Sequence, residues 1–502
     1  MKKKLCSIIA VLLLLSMCSC GSAANDTTAG SDSNAIASDG PSTTDPSAES
    51  EQYTSSVLDI PTSYDYGGYE VKILVSGNYD NNDFETEANT MDVVCVAQHK
   101  RNVEIEQAYK VKITVDDKIK FGSQSSGAGT GYNAFAAMYS AQSYDYDFAT
   151  IGSYNAGSCA YSGFLADLNS LPNVDLTKDW WSQDANEQFS IKNKMYFTTG
   201  DITLAENRVV HLIVFNKDLL TDQELTSPYQ LVEEGKWTWE ALAAQVKTVS
   251  EDDGDDIRNE KDKYGMMTWA DAYSAAVASV GSQIATVNGE GTLELTLMND
   301  RTSAIVQKYA DIIFDTDTCF DYQYGYDRLT WDKNRWGMFS GGQVLYYLAS
   351  AAIPGQMREY DVNFGIIPYP KLNEDQANHY SLAAAYHNQY VAVPYFIEDP
   401  DRTGMLLEIF AYKGKQSVTP AFYDLQLIGR DTRDNESEQM LDIIYGNMIF
   451  DPGLVYRISG MADTFNKVRT QRVNSFASNY EASVSSAQKD VNGINDLFSL
   501  QQ

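Results

Sequence analysis

Hydrophobic and polar positions along this chain switch between a period of two and a period near 3.6, and the switches mark its elements. Tyr69–Val75 alternates and ends on the polar turn Ser76-Gly-Asn-Tyr-Asp80, which predicts a first strand. Val94, Ala97, Ile105 and Ala108 share one face of a helix over about 91–109. Val111–Val115 predicts a second strand, Gly122–Tyr132 a Gly/Ser loop and Asn133–Ala141 a helix. Asp147–Ile151 predicts a third strand, again ending on polar residues, Ser153-Tyr-Asn155. Strand, helix, strand, helix, strand is the rhythm of a parallel sheet. Ligands of such sheets sit outside the carboxyl ends of the strands, so 76–80 and 153–155 are the first candidate turns.

Met195–Thr199 and Val209–Phe215 are short apolar runs rich in β-branched and aromatic residues, and both predict buried strands. Asn216 closes the second run and Lys217–Leu220 opens the next element. Thr238 is placed to cap a helix carried by Leu242, Val246 and Val249. A buried strand that runs straight into a new helical layer reads as a crossing between two α/β lobes. Further on, Tyr264–Trp269 predicts a strand, followed by Ala270-Asp-Ala-Tyr273 and a helix of small residues. Arg301–Phe314 is helical by pattern, and Trp331–Phe339 is an amphipathic segment reaching Gly341-Gly342. Val344–Leu348 predicts a buried strand, Val362–Pro370 a second crossing strand and Tyr390–Val393 a short strand, with helix dominating from Thr403.

The N-terminus changes the picture. Lys2, Lys3 and Lys4 precede an apolar stretch, Leu5–Met17, that is too short to span a bilayer comfortably. It closes on Leu15-Ser-Met-Cys-Ser-Cys-Gly21 and resembles a bacterial lipoprotein signal, in which a cysteine after a small residue is lipidated. Cys20, flanked by Ser19 and Gly21, fits that position better than Cys18. An ordinary secretory signal with incidental cysteines is the alternative. Gly21–Tyr64 has no Lys or Arg and is rich in Ser, Thr, Asp, Ala and Gly, the composition of a disordered tether. Such a coil would reach roughly 35–40 Å on average.

The 438 residues from 65 to 502 exceed a usual single domain, so two lobes are expected. Without residues 1–19, which hold three Lys and no acids, 34 basic side chains face 69 acidic ones, a net charge of −35. That balance opposes binding to nucleic acid or anionic lipid. Cys95, Cys159 and Cys319 form an odd set without paired spacing, which predicts thiols rather than a disulfide framework.

The catalytic inventory is thin. The chain has no G-x-S-x-G, H-E-x-x-H or P-loop pattern, and its four His (His99, His211, His379, His387) include no pair at metal-ligand spacing. A glycosidase-like carboxylate pair stays open, since only separation in space defines one. Glu251, Asp253, Asp255, the Ile257 carbonyl, Asn259 and Asp262 stand at positions 1, 3, 5, 7, 9 and 12 of an EF-hand-type loop. Position 1 is Glu, position 6 is Asp256 where Gly is wanted, and position 12 is the short Asp262. The two readings are a structural Ca²⁺ loop and a solvated acidic loop; no other cofactor is expected. The 33 Tyr and 7 Trp, beside Asp, Asn and Arg, suit stacking on sugar faces and bonding to sugar hydroxyls. Trp269 with Asp271 and Tyr273, and Tyr386 with Asn388, offer that mixture in loops. Trp180-Trp181 and Trp237 with Trp239 read as helix packing.

Five segments in order then carry a resemblance. They are Asp147–Leu168, closed by Tyr161-Ser-Gly-Phe-Leu-Ala-Asp-Leu168; Phe215-Asn-Lys-Asp-Leu-Leu220; Trp237-Thr-Trp239; Met338-Phe-Ser-Gly-Gly342; and Val362-Asn-Phe-Gly-Ile-Ile-Pro-Tyr-Pro370. Together they resemble the extracellular solute-binding lipoproteins of ABC importers, the family that includes maltose-binding protein. The resemblance implies a periplasmic-binding-protein-like fold of two α/β lobes joined by hinge strands near His211–Phe215 and Val362–Ile367. It divides the chain into a signal (1–19), a tether (20–64), lobe 1 (65–212), lobe 2 (213–364), a return to lobe 1 (365–418) and C-terminal helices mostly of lobe 2 (419–502). It implies ligand contacts at Ser76, Asn78, Tyr79, Ser153, Tyr154, Asn155, Glu206, Arg208, Trp269, Asp271, Tyr273, Ser350 and Phe465. The gripping residues of maltose-binding protein are mostly not reproduced, the third-strand turn having Tyr154-Asn155 instead, so maltose itself is not implied. The expectation is a monomeric, non-enzymatic receptor, lipid-anchored on the extracellular face of the bacterial membrane. It would bind a mono- or oligosaccharide and deliver it to ABC permease subunits. A secreted glycan-active enzyme, or a surface sensor or adhesin with this fold, is the alternative.

Overall fold

The computed structural model describes residues 56–77, 83–84, 90–117, 130–324, 335–356, 360–423 and 435–500. Fourteen strands lie among them: β1 Tyr69–Ser76, β2 Val111–Asp116, β3 Phe148–Gly152, β4 His211–Asn216, β5 Ser250–Glu251, β6 Lys263–Thr268, β7 Ala285–Val287, β8 Leu293–Leu295, β9 Cys319–Asp321, β10 Val344–Ser350, β11 Phe364–Ile367, β12 Ser381–Leu382, β13 Gln389–Ala392 and β14 Met448–Ile449.

Two sheets organise the molecule. The first has the order β13-β3-β1-β2, with β1 parallel to both β2 and β3 and β13 antiparallel to β3. Every residue of β3 is buried, because helices cover both faces of a parallel sheet and its strands need apolar residues on both sides. The βαβ rhythm is borne out. Asp92 caps the helix Val93–Tyr109 by accepting from the Val94 and Cys95 amides, and Lys110, at φ 51°, ends it in the left-handed region.

The second sheet runs β11-β4-β10-β6-β5, with β9 beside the far half of β6. All six residues of β4 and all seven of β10 are buried. Asn216 ends β4 and caps the next helix by accepting from the Leu219 amide. Thr238 does the same for Trp239–Val246 through the Ala241 amide, as its position predicts.

Four expectations are corrected. Val362–Ile367 forms no link to the first sheet: β11 pairs antiparallel with β4, and the expected boundary at 365 falls within that strand. The chain returns to the first sheet between β12 and β13, where Ala383 bridges Val210 and the Ala384 amide donates to the Val209 carbonyl at 3.2 Å. The two connecting segments therefore lie side by side at Val209–His211 and Ala383–Asn388. Met195–Thr199 is no strand of a sheet, for Thr198 makes one bridge to Val391 beside β13. Ser153–Asn155 is not a loop turn but the first turn of a helix, Ser153–Tyr161. The end of the expected tether packs on the body: Ile60 is buried, the Tyr109 hydroxyl donates to the Pro61 carbonyl, and Lys178 pairs with Asp59. Residues 331–334 of the amphipathic segment and residues 122–129 of the expected Gly/Ser loop lie outside the described residues.

Candidate functional site

The carboxyl ends of the parallel strands face the connecting segments. In the first sheet, the end of β1 at Ser76 lies so close to β13 that a Cβ on Gly77 would fall 1.7 Å from Oε1 of Gln389. β3 runs directly into the helix Ser153–Tyr161, whose first residue is fixed to the returning segment. The Ser153 amide donates to the Asn388 carbonyl at 3.0 Å and its hydroxyl donates to the Ala385 carbonyl. In the second sheet, Trp269 follows β6 immediately, and Ser350, the last residue of β10, pairs in register with His211, the first of β4.

These ends bring together a row of six rings. Tyr154 lies 6.3 Å from Tyr386, Tyr386 4.9 Å from His387, and His387 6.1 Å from Trp269, centroid to centroid. Trp269 stacks on His211 at 5.6 Å and 29°, and His211 meets the edge of Tyr369 at 6.2 Å and 84°. The row starts on a helix of the first sheet, passes along the returning segment and ends in the second. The Arg457 guanidinium lies over the Tyr154 ring at 5.4 Å.

The electrostatics of the row favour neutral rings beside one acid. Burial lowers His211 to about 3, with His387 adding to the effect. Burial likewise lowers His387 to about 4, helped by the Arg335 charge. Asp271 stands before the helix Ala272–Ser279 but makes no capping bond. Burial pushes its carboxyl up to about 6, opposed by Arg469, whose own guanidinium pairs with Asp321 at 2.7 Å. The phenols of Tyr154 and Tyr369 are raised by burial first and by the Asp271 charge second.

Of the predicted contacts, Tyr154, Trp269, Asp271 and Tyr386 meet at this row. Ser153, Asn155, Ser350 and Asn388 are buried beside it, and Ser76 is buried at the end of β1 with its hydroxyl unbonded among the described residues. Asn388 acts as a brace: its side chain accepts from the Gln389 amide and its carbonyl holds Ser153. Asn78, Tyr79 and the lipidation candidate Cys20 lie outside the described residues.

Four predicted contacts are engaged or enclosed by the protein itself. Arg208 is held in an ion pair with the buried Asp83 at 2.9 Å. Tyr273 is fully buried, donates to the Val306 carbonyl and stacks on Phe465 at 5.7 Å, with Phe476 stacked behind. That pair packs one helix against another. Glu206 is buried, and burial, with Asp201 adding to it, pushes its carboxyl up to about 8. Sequence reasoning missed His211, His387 and Tyr369. The one signal for His211 was a lone polar residue inside an otherwise apolar strand.

The acidic loop does not assemble as its spacing suggests. Glu251 pairs with Lys263, the Ile257 carbonyl accepts from Asn259 Nδ2, and Asp255 accepts from the Ile257 amide. Asp262 is buried and accepts from the Asp253 and Asn259 amides at 2.9 and 2.7 Å. The acids that converge are Asp252, Asp253 and Asp262, only two of them from the expected set. These donors do not fit an alternate-position calcium loop.

The family of bacterial extracellular solute-binding proteins matches residues 102–401, more than half of the sequence. The chain belongs to that family. No curated protein matches this solute-binding protein by sequence. Among solved structures, it is similar to the galacto-N-biose-/lacto-N-biose I-binding protein of an ABC transporter from Bifidobacterium longum, in complex with lacto-N-biose. The identity is 13% and the TM-score 0.54, over 85% of this chain and 98% of that one. An ABC substrate-binding protein from Listeria monocytogenes in complex with cycloalternan is 13% identical, at a TM-score of 0.51 over 86% of this chain and 100% of its own. A solute-binding protein from Agrobacterium radiobacter K84 in complex with ribitol is 15% identical, at 0.52 over 86% and 100%. At these identities the likeness establishes the fold, the two-lobed α/β architecture of solute-binding proteins. No described helix of this one is long and apolar enough to cross a membrane.

Proposed function

We propose that this solute-binding protein is a lipid-anchored receptor that captures a neutral carbohydrate where its two lobes meet and delivers it to an ABC permease. The observation that carries the reading is the ring row from Tyr154 to Tyr369, which joins residues of both sheets. Ring faces stack on the C–H faces of sugars, and the neighbouring Asp271, Asn155 and Ser350 supply polar partners of the kind sugar hydroxyls need. The solved complexes of the same fold with lacto-N-biose, cycloalternan and ribitol support the same solute class. Anchoring through Cys20, a monomeric state, placement on the extracellular face and delivery to permease subunits extend the reading from the signal-like N-terminus and the family. A solute that touches both lobes favours the closed form, and that difference is what a permease would sense.

Isothermal titration calorimetry with lacto-N-biose, maltotetraose, cycloalternan and ribitol tests it. Saturable binding with the sugar recovered unchanged is expected, and Trp269→Ala is expected to weaken it at least tenfold. A cleaved product would replace the receptor with a glycan-active enzyme; failure of every sugar to bind would reject the carbohydrate reading.

A further inference from the structure

Three side chains at one end of the ring row carry four buried polar atoms with no hydrogen-bond partner among the described residues. They are both imidazole nitrogens of His211, the indole Nε1 of Trp269 and the phenol oxygen of Tyr369. His211 touches the other two, stacked on Trp269 and edge-on to Tyr369. A buried donor or acceptor left unpaired costs stability, so a fold tolerates one such atom more readily than four on adjoining rings.

Elsewhere the same core satisfies four of its indoles and a buried phenol. Trp180 and Trp181 both donate to Glu408, Trp237 to the Pro368 carbonyl and Trp239 to the Ser279 hydroxyl. Tyr273 donates to the Val306 carbonyl. Single unbonded polar atoms occur elsewhere in the core, His379 Nε2 among them, but here four fall on three adjoining rings. The place is also particular. His211 begins β4 opposite Ser350, Trp269 follows β6, and both stand at the end of the second sheet where the connecting segments meet.

We infer that His211 and Tyr369, with Trp269, form a hydroxyl-reading subsite that takes one uncharged, hydroxyl-bearing ring of the solute. The inference rests on the carbohydrate reading above and adds to it the residues that select the solute and the charge class they select. A neutral imidazole offers one donor and one acceptor, a phenol offers both, and an indole offers a donor. That set complements adjacent hydroxyls, each of which donates once and accepts. It does not complement a carboxylate or phosphate, which needs fixed positive charge or several donors. Burial keeps His211 from supplying that charge, since it lowers the imidazole to about 3. Asp271, whose charge reaches Tyr369, opposes an anion directly; of the nearby cations, Arg469 is paired with Asp321, and Arg335, over the Trp336 ring, acts on His387 rather than on His211. Trp269 is the partly exposed member of the three and stacks on His211.

The test uses two variants of the full chain. Tyr369→Phe removes one oxygen and keeps the ring, while His211→Leu exchanges the imidazole for an apolar side chain. The solutes are lacto-N-biose, maltotetraose and ribitol, measured by calorimetry, with glucuronate against glucose as the charge comparison. Each variant is expected to lose at least tenfold in affinity for the sugar that the wild type binds, while the Tm without sugar holds or rises because an unpaired group has gone. Glucuronate is expected to bind at least tenfold more weakly than glucose. Wild-type binding with both variants within twofold of it would overturn the subsite and leave the receptor reading standing. A fall in Tm with unchanged affinity would show these groups to be structural and would also overturn it. If the wild type binds none of the sugars, the carbohydrate reading itself fails and takes the subsite with it.

Discussion

Glu206 shows what a single residue does in this core. It lies in a short helix, Ala205–Val209, directly before the crossing into β4, and burial raises its carboxyl from an ordinary 4.5 to about 8. A raised folded-state value means that the folded protein binds a proton which the unfolded chain releases. The contribution is fully present below about pH 4.5 and is lost as the pH rises through about 8. Glu206→Gln, which is neutral at every pH, is therefore expected to be more stable than the wild type at pH 9. The expected gain is on the order of 2 kcal/mol or more, since one pKa unit corresponds to about 1.4 kcal/mol. The gain should vanish near pH 4.5. Urea denaturation of both proteins across pH 4.5–9 checks it, and a gain independent of pH would contradict the burial of a charge there. Comparing the two proteins at each pH isolates Glu206 from His211, His379 and His387, whose lowered values make the protein lose stability as the pH falls from 6.5 towards 4.

At the scale of elements, close backbone approach sets the joints. Gly157 lies in the helix Ser153–Tyr161, and a Cβ there would fall 2.5 Å from the Val455 carbonyl oxygen of the helix Pro452–Val455. Gly157→Ala would favour an isolated helix by about 1 kcal/mol. Overpacking against a backbone carbonyl costs about 1–3 kcal/mol, and a carbonyl cannot swing aside as a side chain can. Net destabilisation is expected, read as a lower urea midpoint at unchanged slope. Thr238→Ala is expected to cost about 1 kcal/mol through loss of the bond from the Ala241 amide, with Thr238→Ser restoring most of it. The loop 251–262 makes a different prediction. Glu251 is paired with Lys263, and the Asp255 and Asp262 carboxylates accept from loop amides, so Ca²⁺ added to chelator-treated protein is expected to leave Tm unchanged. An upward shift that Asp253→Asn abolishes would restore the calcium reading. The spacing of acids was visible in the sequence, but the turn that points Asp262 inward was not, because it depends on amides whose direction only the folded loop sets.

For the whole molecule, the proposed receptor role predicts that solute and closure are linked. A bound sugar at about 100 times its Kd should add about 2.7 kcal/mol of stability, and small-angle scattering should show a smaller radius of gyration with sugar than without. A solute that stabilises without compacting would place its contacts on one lobe alone. The chain's own pattern determined the strands β1 to β4, β6, β10 and β13, and the caps Asn216 and Thr238. Those features depend on side-chain periodicity and on capping bonds within a few residues, which are local. The second crossing was decided by pairing: an apolar run such as Phe364–Ile367 suits a connector or a sheet edge equally, and hydrogen bonds to β4 settled it. The site was decided the same way. Tyr154, His211, Trp269, Tyr369 and Tyr386 come from five distant segments, and among 33 Tyr and 7 Trp no local pattern separates those that meet between the sheets from those, like Tyr273, that close the core. Residue chemistry can be read along a chain, but which rings face one another is a property of packing, because burial and contact are set by elements far apart in sequence.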